Sequence, residues 1–212
     1  MKPRIIVNCA MSADGKIALP TREQTRISSD EDMSRVHQLR NSVDVIIVGV
    51  GTVLADNPSL LVNPKYVSEA KNPVRLVLDS NGRSPEDAAV FDGKARTIVA
   101  TCEKCSRNFR GAETIRCGRE RIDLKKLMFV LGERGYSNAL VEGGGEIIWS
   151  FFKEGLVDEF KVFVGSMIIG GKDSPTPADG EGFSSLEKAV KLELVNLTRL
   201  GEGMVLEYVV KR

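Results

Sequence analysis

The chain has 212 residues, of which 42% are hydrophobic and 28% charged, a balance typical of soluble globular proteins. Its net charge of +1 does not indicate nucleic acid or an anionic membrane as a partner. No apolar run is long enough to cross a bilayer, and the first ten residues lack the apolar region of a signal peptide. We therefore expect a cytoplasmic protein with one domain over residues 1–212.

Strand and helix patterns alternate through most of the chain. Apolar runs predict strands at residues 4–10, 43–49, 73–79, 96–101, 113–117 and 139–141. A helix is predicted to begin at Ser28 or Ser29, where a capping side chain precedes three acidic residues. Another is predicted from residue 124, where apolar residues keep the i, i+3, i+4, i+7 spacing. Residues 102–111 are predicted to be a short helix or a loop.

The pattern changes after Gly155. Residues 157–164, 191–200 and 204–211 alternate polar and apolar side chains with a period of two, and Gly201-Glu202-Gly203 separates the last two runs as in a hairpin. The predicted fold class is therefore α/β. We expect a mixed, mostly parallel sheet flanked by helices, with antiparallel strands at its C-terminal edge.

Cysteine and histidine give no strong indication of a metal site. Cys102 and Cys105 form a C-x-x-C pair, with Cys9 and Cys117 elsewhere in the chain. A zinc site would need further ligands, but His37 is the only histidine and there is no second C-x-x-C. Structural thiols are favoured over a redox pair, and no metal is predicted. His37 is expected to be a packed or solvated helix residue rather than a general base.

Glycines follow the apolar run that ends near residue 49. Gly49 and Gly51 begin like a dinucleotide fingerprint, but Leu54 stands at the third glycine position, and the acidic residue that closes the motif is absent. The Rossmann fingerprint is therefore rejected. Thr52 is expected to start a short helix, either as a cap beside a cofactor phosphate or as a plain helix cap.

The most informative stretch is Val141-Glu142-Gly143-Gly144-Gly145. It joins a buried strand to a helix pattern. Glycines let an anion or a flat ring approach the main chain, and the first N–H groups of a helix favour negative charge. Glu142 stands at the carboxyl end of a buried strand, where open α/β sheets hold ligands. Three glycines exceed the needs of a tight turn, so ligand binding is favoured over a turn that binds nothing.

Five motifs occur in order along the chain. They are Met11-Ser-Ala-Asp-Gly-Lys16, Gly49-Val-Gly-Thr-Val-Leu-Ala-Asp-Asn-Pro58, Leu76-Val-Leu-Asp-Ser80, Val141-Glu-Gly-Gly-Gly145 and Gly155-Leu-Val-Asp-Glu159. Together they resemble the reductase family of riboflavin biosynthesis, whose fold is like that of dihydrofolate reductase. The resemblance covers essentially the whole chain and is closest to stand-alone, archaeal-type members. It implies a homodimeric oxidoreductase that uses NADPH, with NADH as the alternative, to reduce the ribosyl side chain of 2,5-diamino-6-ribosylamino-4(3H)-pyrimidinone 5′-phosphate.

The resemblance also implies the residues of the site. The cofactor would contact Ala10, Arg26, Thr52, Asp56, Asp79, Ser80, Gly143, Gly144, Gly145 and Glu146. The substrate would contact Asn8, Lys16, Arg40, Leu60 and Glu142, with Glu142 as the catalytic residue. Some relatives have an arginine for the substrate phosphate where Asn63 stands, so Lys16 or Arg40 is expected to supply that charge. Asp56 or water would supply the proton.

Departures from the bacterial relatives narrow the choice of substrate. These relatives often carry a zinc deaminase with an H-x-E and P-C-x-x-C signature, which this sequence lacks, so we expect reduction without deamination. They tend to have a lysine where Asn8 stands. A lysine only donates, whereas an asparagine amide can also accept from a ring amino group, which favours the diamino substrate. A reductase of the deaminated pyrimidine or of a pterin stays open, as does a non-catalytic nucleotide-binding or thiol-regulated module.

Overall fold

The computed structural model describes residues 1–21 and 26–212, and these build a nine-stranded sheet. The strands are β1 (Arg4–Ser12), β2 (Val45–Gly49), β3 (Val74–Leu78), β4 (Thr97–Thr101), β5 (Glu113–Arg116), β6 (Asn138–Val141), β7 (Glu159–Gly165), β8 (Leu192–Leu200) and β9 (Gly203–Val210). Their order across the sheet is β5-β4-β3-β2-β6-β1-β7-β9-β8. The first seven strands pair in parallel, and β9 pairs antiparallel with β7 and β8. The predicted fold class is confirmed.

Four α-helices connect the parallel strands in the described part of the chain. They are α1 (Asp30–Asn41), α2 (Val50–Asp56), α3 (Leu124–Glu133) and α4 (Gly145–Lys153). The Ser29 side chain accepts a hydrogen bond from the Asp32 amide and caps α1, as the sequence predicts. None of the helices in residues 1–21 and 26–212 is both long and apolar enough to cross a membrane.

The central strands are buried on both faces, which explains their nearly continuous apolar sequences. All five residues of β2 are buried. Alternate residues point to opposite faces: Val45 and Ile47 pack with the buried faces of α3 and α4. Ile46 and Val48 pack on the other face with Val53 of α2 and with Leu60 of the α2–β3 connection. The parallel strands are therefore held between two layers, and their carboxyl ends meet at one edge.

Some predicted boundaries were wrong. Helix α2 begins at Val50 after an extended Gly49, which is the N-cap, so Thr52 lies inside the first turn and is not the cap. Strand β1 continues through Ser12, two residues beyond its predicted end. Residues 102–111 contain turns and no helix, so the loop of the two predicted alternatives is confirmed. Strand β2 begins at Val45, because the carboxylate of the preceding Asp44 accepts hydrogen bonds from the Ser137 and Asn138 amides.

The C-terminal hairpin forms one edge of the sheet. Strand β8 pairs with β9 alone among the described strands, and most of its residues are exposed. The exposed residues include Leu194, Val195 and Leu197. A second chain can pair with an exposed apolar edge strand. Strand β8 would suit the expected homodimer, which stays a prediction.

Candidate active site

A cleft of about 1650 Å³ runs along the edge where the parallel strands end. Small-molecule pockets usually measure about 300–1,000 Å³, so this cleft has room for two ligands side by side. Of the predicted cofactor contacts, those that line it are Ala10, Arg26, Thr52, Asp56, Ser80, Glu146 and the glycines at 143–145. Glu142, the predicted catalytic residue, lines it too. The fold therefore brings most of the predicted site to one surface.

Asp79 is the exception among the predicted cofactor contacts. Its side chain is fully buried and accepts hydrogen bonds from the Arg83 amide at 2.9 Å and from the Ser84 amide and hydroxyl, both at 2.8 Å. These bonds close the turn after β3 and position Ser80. The Asp79 carboxylate therefore shapes the turn and does not line the cleft, and a direct cofactor contact of this residue stays a prediction.

The three glycines after β6 serve different purposes. Gly143 has φ +143°, a conformation that side chains disfavour, and its carbonyl accepts a hydrogen bond from the Gly49 amide at 3.1 Å. A Cβ on Gly143 or Gly144 would lie 3.5 or 3.6 Å from Thr52 Oγ1, so these two residues present main chain beside Thr52. A Cβ on Gly145 would come within 2.4 Å of the Thr176 carbonyl, so Gly145 is needed for packing.

Glu142 is held by a guanidinium from α1. Arg40 Nε lies 3.0 and 3.2 Å from the two carboxylate oxygens, and its Nη2 lies 2.6 Å from Oε2. The side chains of Glu142 and Arg40 are only 9% and 15% exposed. Such a charge-assisted pair fixes the carboxylate's orientation. Glu142 lines the cleft and Arg40 does not, so Arg40 supports the carboxylate from behind.

His37 ties α1 to the connection after α2. Its Nδ1 accepts a hydrogen bond from the Asn63 amide at 3.1 Å, and its ring stacks on Tyr66 with centroids 5.0 Å apart. Burial and then the nearby Arg40 charge lower the pKa of His37, which favours the neutral ring that can accept this bond. Tyr66 and its neighbour Lys65 both line the cleft. No local sequence pattern marks these two residues, so they are absent from the predicted site.

Asp56 is a carboxyl group in the cleft without a partner in the described part of the chain. No hydrogen bond or ion pair of its side chain is found there, and burial raises its pKa. A perturbed, unpaired carboxyl group in a cleft is a candidate for proton transfer.

The Cys9 thiol also lines the cleft, but burial raises its pKa to about 12, so it is a thiol at neutral pH and a poor nucleophile.

The remaining cysteines lie away from the cleft. Cys102, Cys105 and Cys117 are buried and free. Within residues 1–21 and 26–212, no group of three or more His, Cys, Asp or Glu side chains could hold a metal ion.

Four predicted substrate contacts lie outside the cleft lining: Asn8, Lys16, Arg40 and Leu60. Leu60 is 2% exposed and packs in the core. Lys16 Nζ donates to the Ser174 carbonyl at 3.4 Å. Asn8 is 5% exposed, and its Oδ1 accepts no hydrogen bond from any described residue. It lies on the same face of β1 as Ala10, which does line the cleft.

The model of the RibD C-terminal domain family matches residues 3–206. A 2,5-diamino-6-ribosylamino-4(3H)-pyrimidinone 5′-phosphate reductase from Methanothermobacter thermautotrophicus is 40% identical over the full length of both chains. A reductase of the same name from Archaeoglobus fulgidus is 41% identical over 96% of each chain.

Solved structures share the fold. The diaminohydroxyphosphoribosylaminopyrimidine deaminase/5-amino-6-(5-phosphoribosylamino)uracil reductase of Thermotoga maritima superposes with a TM-score of 0.81 and 27% identity. The superposition covers 99% of this chain but only 57% of that chain. The riboflavin biosynthesis reductase Rib7 of Saccharomyces cerevisiae superposes with a TM-score of 0.76 over 99% of this chain and 90% of that chain. At 20% identity, the second likeness shows the fold alone.

Proposed function

This chain belongs to the RibD C-terminal domain family, and we propose that it reduces 2,5-diamino-6-ribosylamino-4(3H)-pyrimidinone 5′-phosphate with NADPH. The reaction would convert the ribosylamino group to a ribitylamino group. The observation that carries the proposal is the pairing, in one cleft, of an open glycine turn with a carboxylate fixed by Arg40. The full-length relatives that carry the name of this reductase support the choice of substrate.

The residues present fit a nicotinamide dinucleotide. Gly143 and Gly144 present main chain to the cleft, and no heavy atom lies within 4 Å of a Cβ built on Gly51. The N-cap of α4, Gly144, offers no side-chain hydrogen bond to the first amides of the helix, which leaves them for a phosphate group. In this proposal Thr52, Ser80 and residues 143–146 hold the cofactor, with Ala10 and Arg26 as further contacts.

Two arginines support NADPH over NADH. Arg83 and Arg121 line the cleft, and neither guanidinium has an ion-pair partner among the described residues. Unpaired guanidinium groups suit the 2′-phosphate that distinguishes NADPH, because the planar fork matches phosphate oxygens. The choice between the two cofactors rests on these charges.

Glu142 would act on the sugar that is reduced. When bound, the reduced nicotinamide supplies the hydride. The glycosylamine of the substrate opens to an imine at C1′, and the Glu142 carboxylate stabilises the positive charge of the iminium form. Arg40 prevents the carboxylate from turning away. The proton that completes the reduction comes from Asp56 or from water.

The diamino substrate is favoured over its deaminated form because of Asn8. Its Oδ1 atom accepts no hydrogen bond from any described residue and can accept one from a ring amino group. The deaminated ring has a carbonyl in place of that amino group, and a carbonyl cannot donate. We also propose that the protein is a cytoplasmic homodimer that reduces without deaminating. The exposed edge strand β8 supports the dimer.

A turnover assay tests the proposed function. NADPH or NADH oxidation would be followed with the diamino pyrimidine phosphate and with its deaminated form. We expect turnover of the diamino compound and a higher kcat/KM with NADPH. Turnover of the deaminated compound alone would contradict the role of Asn8. Cofactor binding without turnover of either compound would support a non-catalytic nucleotide-binding module instead.

A further inference from the structure

The positive side chains that line the cleft fall into two groups. Arg26, Lys125 and Lys153 form ion pairs with Asp30, Glu154 and Glu181, respectively. Lys65, Arg83 and Arg121 also line the cleft, and no ion pair is found for them within residues 1–21 and 26–212. Unpaired cations in a cleft are available to an anionic ligand. Lys65 follows α2, whereas the two arginines follow β3 and β5.

The segment that carries Lys65 is attached to the same helix that holds Glu142. Arg40 and His37 lie one turn apart on α1 and share a face. Arg40 Nη1 donates to the Leu61 carbonyl at 3.3 Å, while His37 Nδ1 accepts from the Asn63 amide at 3.1 Å. These bonds hold residues 61–63 beside the Arg40–Glu142 pair. Lys65 therefore lies only two residues beyond a segment that is attached to α1.

Lys65 sits in a closed turn. The Asn63 side-chain carbonyl accepts from the Lys65 amide at 3.0 Å, and the Asn63 main-chain carbonyl accepts from the Tyr66 amide at 3.0 Å. The Lys65 ammonium lies 5.4 Å from the centroid of the Tyr66 ring, and that ring is stacked on His37. The ammonium therefore has an aromatic neighbour and no anionic one among the described residues.

We propose that Lys65 binds the 5′-phosphate of the substrate. This inference rests on the proposed function: Glu142 would face C1′ of the open ribose chain, and the phosphate lies at the other end of that chain. A lysine ammonium serves as a point charge for a phosphate monoester. Lys16 or Arg40 was expected to supply this charge, but neither lines the cleft: Lys16 bonds to the Ser174 carbonyl and Arg40 to Glu142.

Substitution of Lys65, assayed with two substrates, tests the inference. The substrates are the pyrimidine ribotide and the same compound without its phosphate. In Lys65→Ala, kcat/KM for the ribotide should fall about 10-fold to 100-fold, as expected for losing a hydrogen bond to a charged group. Its kcat/KM for the dephosphorylated compound should stay at the wild-type value. Lys65→Arg should restore most of the loss, because it keeps the charge.

Lys71→Ala is the matched control, since Lys71 is an exposed lysine of the same connection that does not line the cleft. Equal losses on both substrates in Lys65→Ala would overturn the inference, as would a loss of phosphate preference in Arg26→Ala and not in Lys65→Ala. If the wild-type protein turned over neither compound, the proposed function itself would fail. An unchanged melting temperature in Lys65→Ala would exclude misfolding as the cause of a loss.

Discussion

The turns after β2 and β6 look alike in sequence but are built differently. Each joins a buried strand to a helix through glycine, and the Gly49 amide donates to the Gly143 carbonyl, so the two turns touch. After β6, two glycines present main chain beside Thr52 while the third packs on the loop after β7. After β2, a Cβ on Gly49 would lie 2.5 Å from Ile147 Cγ1, whereas one on Gly51 would meet nothing within 4 Å. Glycine therefore indicates close packing at some positions and an open main chain at others.

The carboxyl groups of the two turns also differ. Glu142 is held by three short contacts with Arg40. Asp56, at the end of α2, has no partner among the described residues, and burial raises its pKa. The turn after β6 thus presents a carboxylate of fixed orientation, and the end of α2 presents a carboxyl group whose charge burial disfavours. This contrast suits different roles: stabilisation of positive charge at Glu142 and cofactor contact or proton transfer at Asp56.

The largest effect is expected from removing the paired carboxylate. Glu142→Gln keeps the shape of the side chain but loses its charge, so it can no longer stabilise an iminium group. We expect kcat with the diamino substrate to fall about 10²–10³-fold, the usual cost of losing one electrostatic stabiliser. Cofactor binding, measured by fluorescence titration, should be retained.

Glu133→Gln is the control for this variant, because Glu133 is exposed on α3 and does not line the cleft. Near wild-type turnover by Glu142→Gln would show that the Arg40–Glu142 pair is structural. In that case the contrast between the two carboxyl groups would have no catalytic meaning.

A smaller effect on stability is expected from substitutions at the end of β2 and in the first turn of α2, where Gly49 and Gly51 should respond differently. Gly49→Ala forces a methyl group against Ile147, and overpacking of this kind costs about 1–3 kcal/mol. In a chain of this length each kcal/mol lowers the melting temperature by about 2–4 °C. Gly51→Ala should leave the melting temperature unchanged or raise it, because alanine is favoured over glycine within a helix. The added methyl group would instead enter the cleft and raise KM for the cofactor. Calorimetry and steady-state kinetics on both variants check this pair, and equal destabilisation by both substitutions would contradict it.

Local patterns made much of the fold predictable. The buried strands appear as apolar runs, and the C-terminal hairpin appears as period-two alternation on each side of Gly201 and Glu202. The site was less predictable, because its contacts are distant in sequence: Arg40 and Glu142 are 102 positions apart. Asp79 follows a strand as a ligand-binding residue would, and only the structure shows its bonds to Ser84. The position of Lys65 depends on a turn that His37 contacts, and no local sequence pattern indicates that contact.

The smallest expected effect concerns the unpaired carboxyl group. Because the pKa of Asp56 is raised in the folded protein, folding is less favourable for its ionised form. This destabilisation is absent well below the ordinary aspartate pKa of about 4 and reaches its full size once the pH exceeds the raised value. Asp56→Asn removes it. Since the group is only partly buried, we expect the variant to melt slightly above the wild type at pH 7, with the difference shrinking toward acidic pH.

Asp14 provides a comparison of opposite sign. The Ser12 hydroxyl and the Ile169 and Gly170 amides hold the pKa of Asp14 at about 2, so its ionised form contributes stability above the ordinary aspartate pKa and loses it as the pH falls toward the lowered value. Asp14→Asn should therefore lower the melting temperature at pH 7 and have less effect at acidic pH. Thermal melts of both variants between pH 3 and 8 would measure the two slopes. Parallel slopes would mean that Asp56 has a stabilising partner at neutral pH, and the contrast between a paired Glu142 and an unpaired Asp56 would then be wrong.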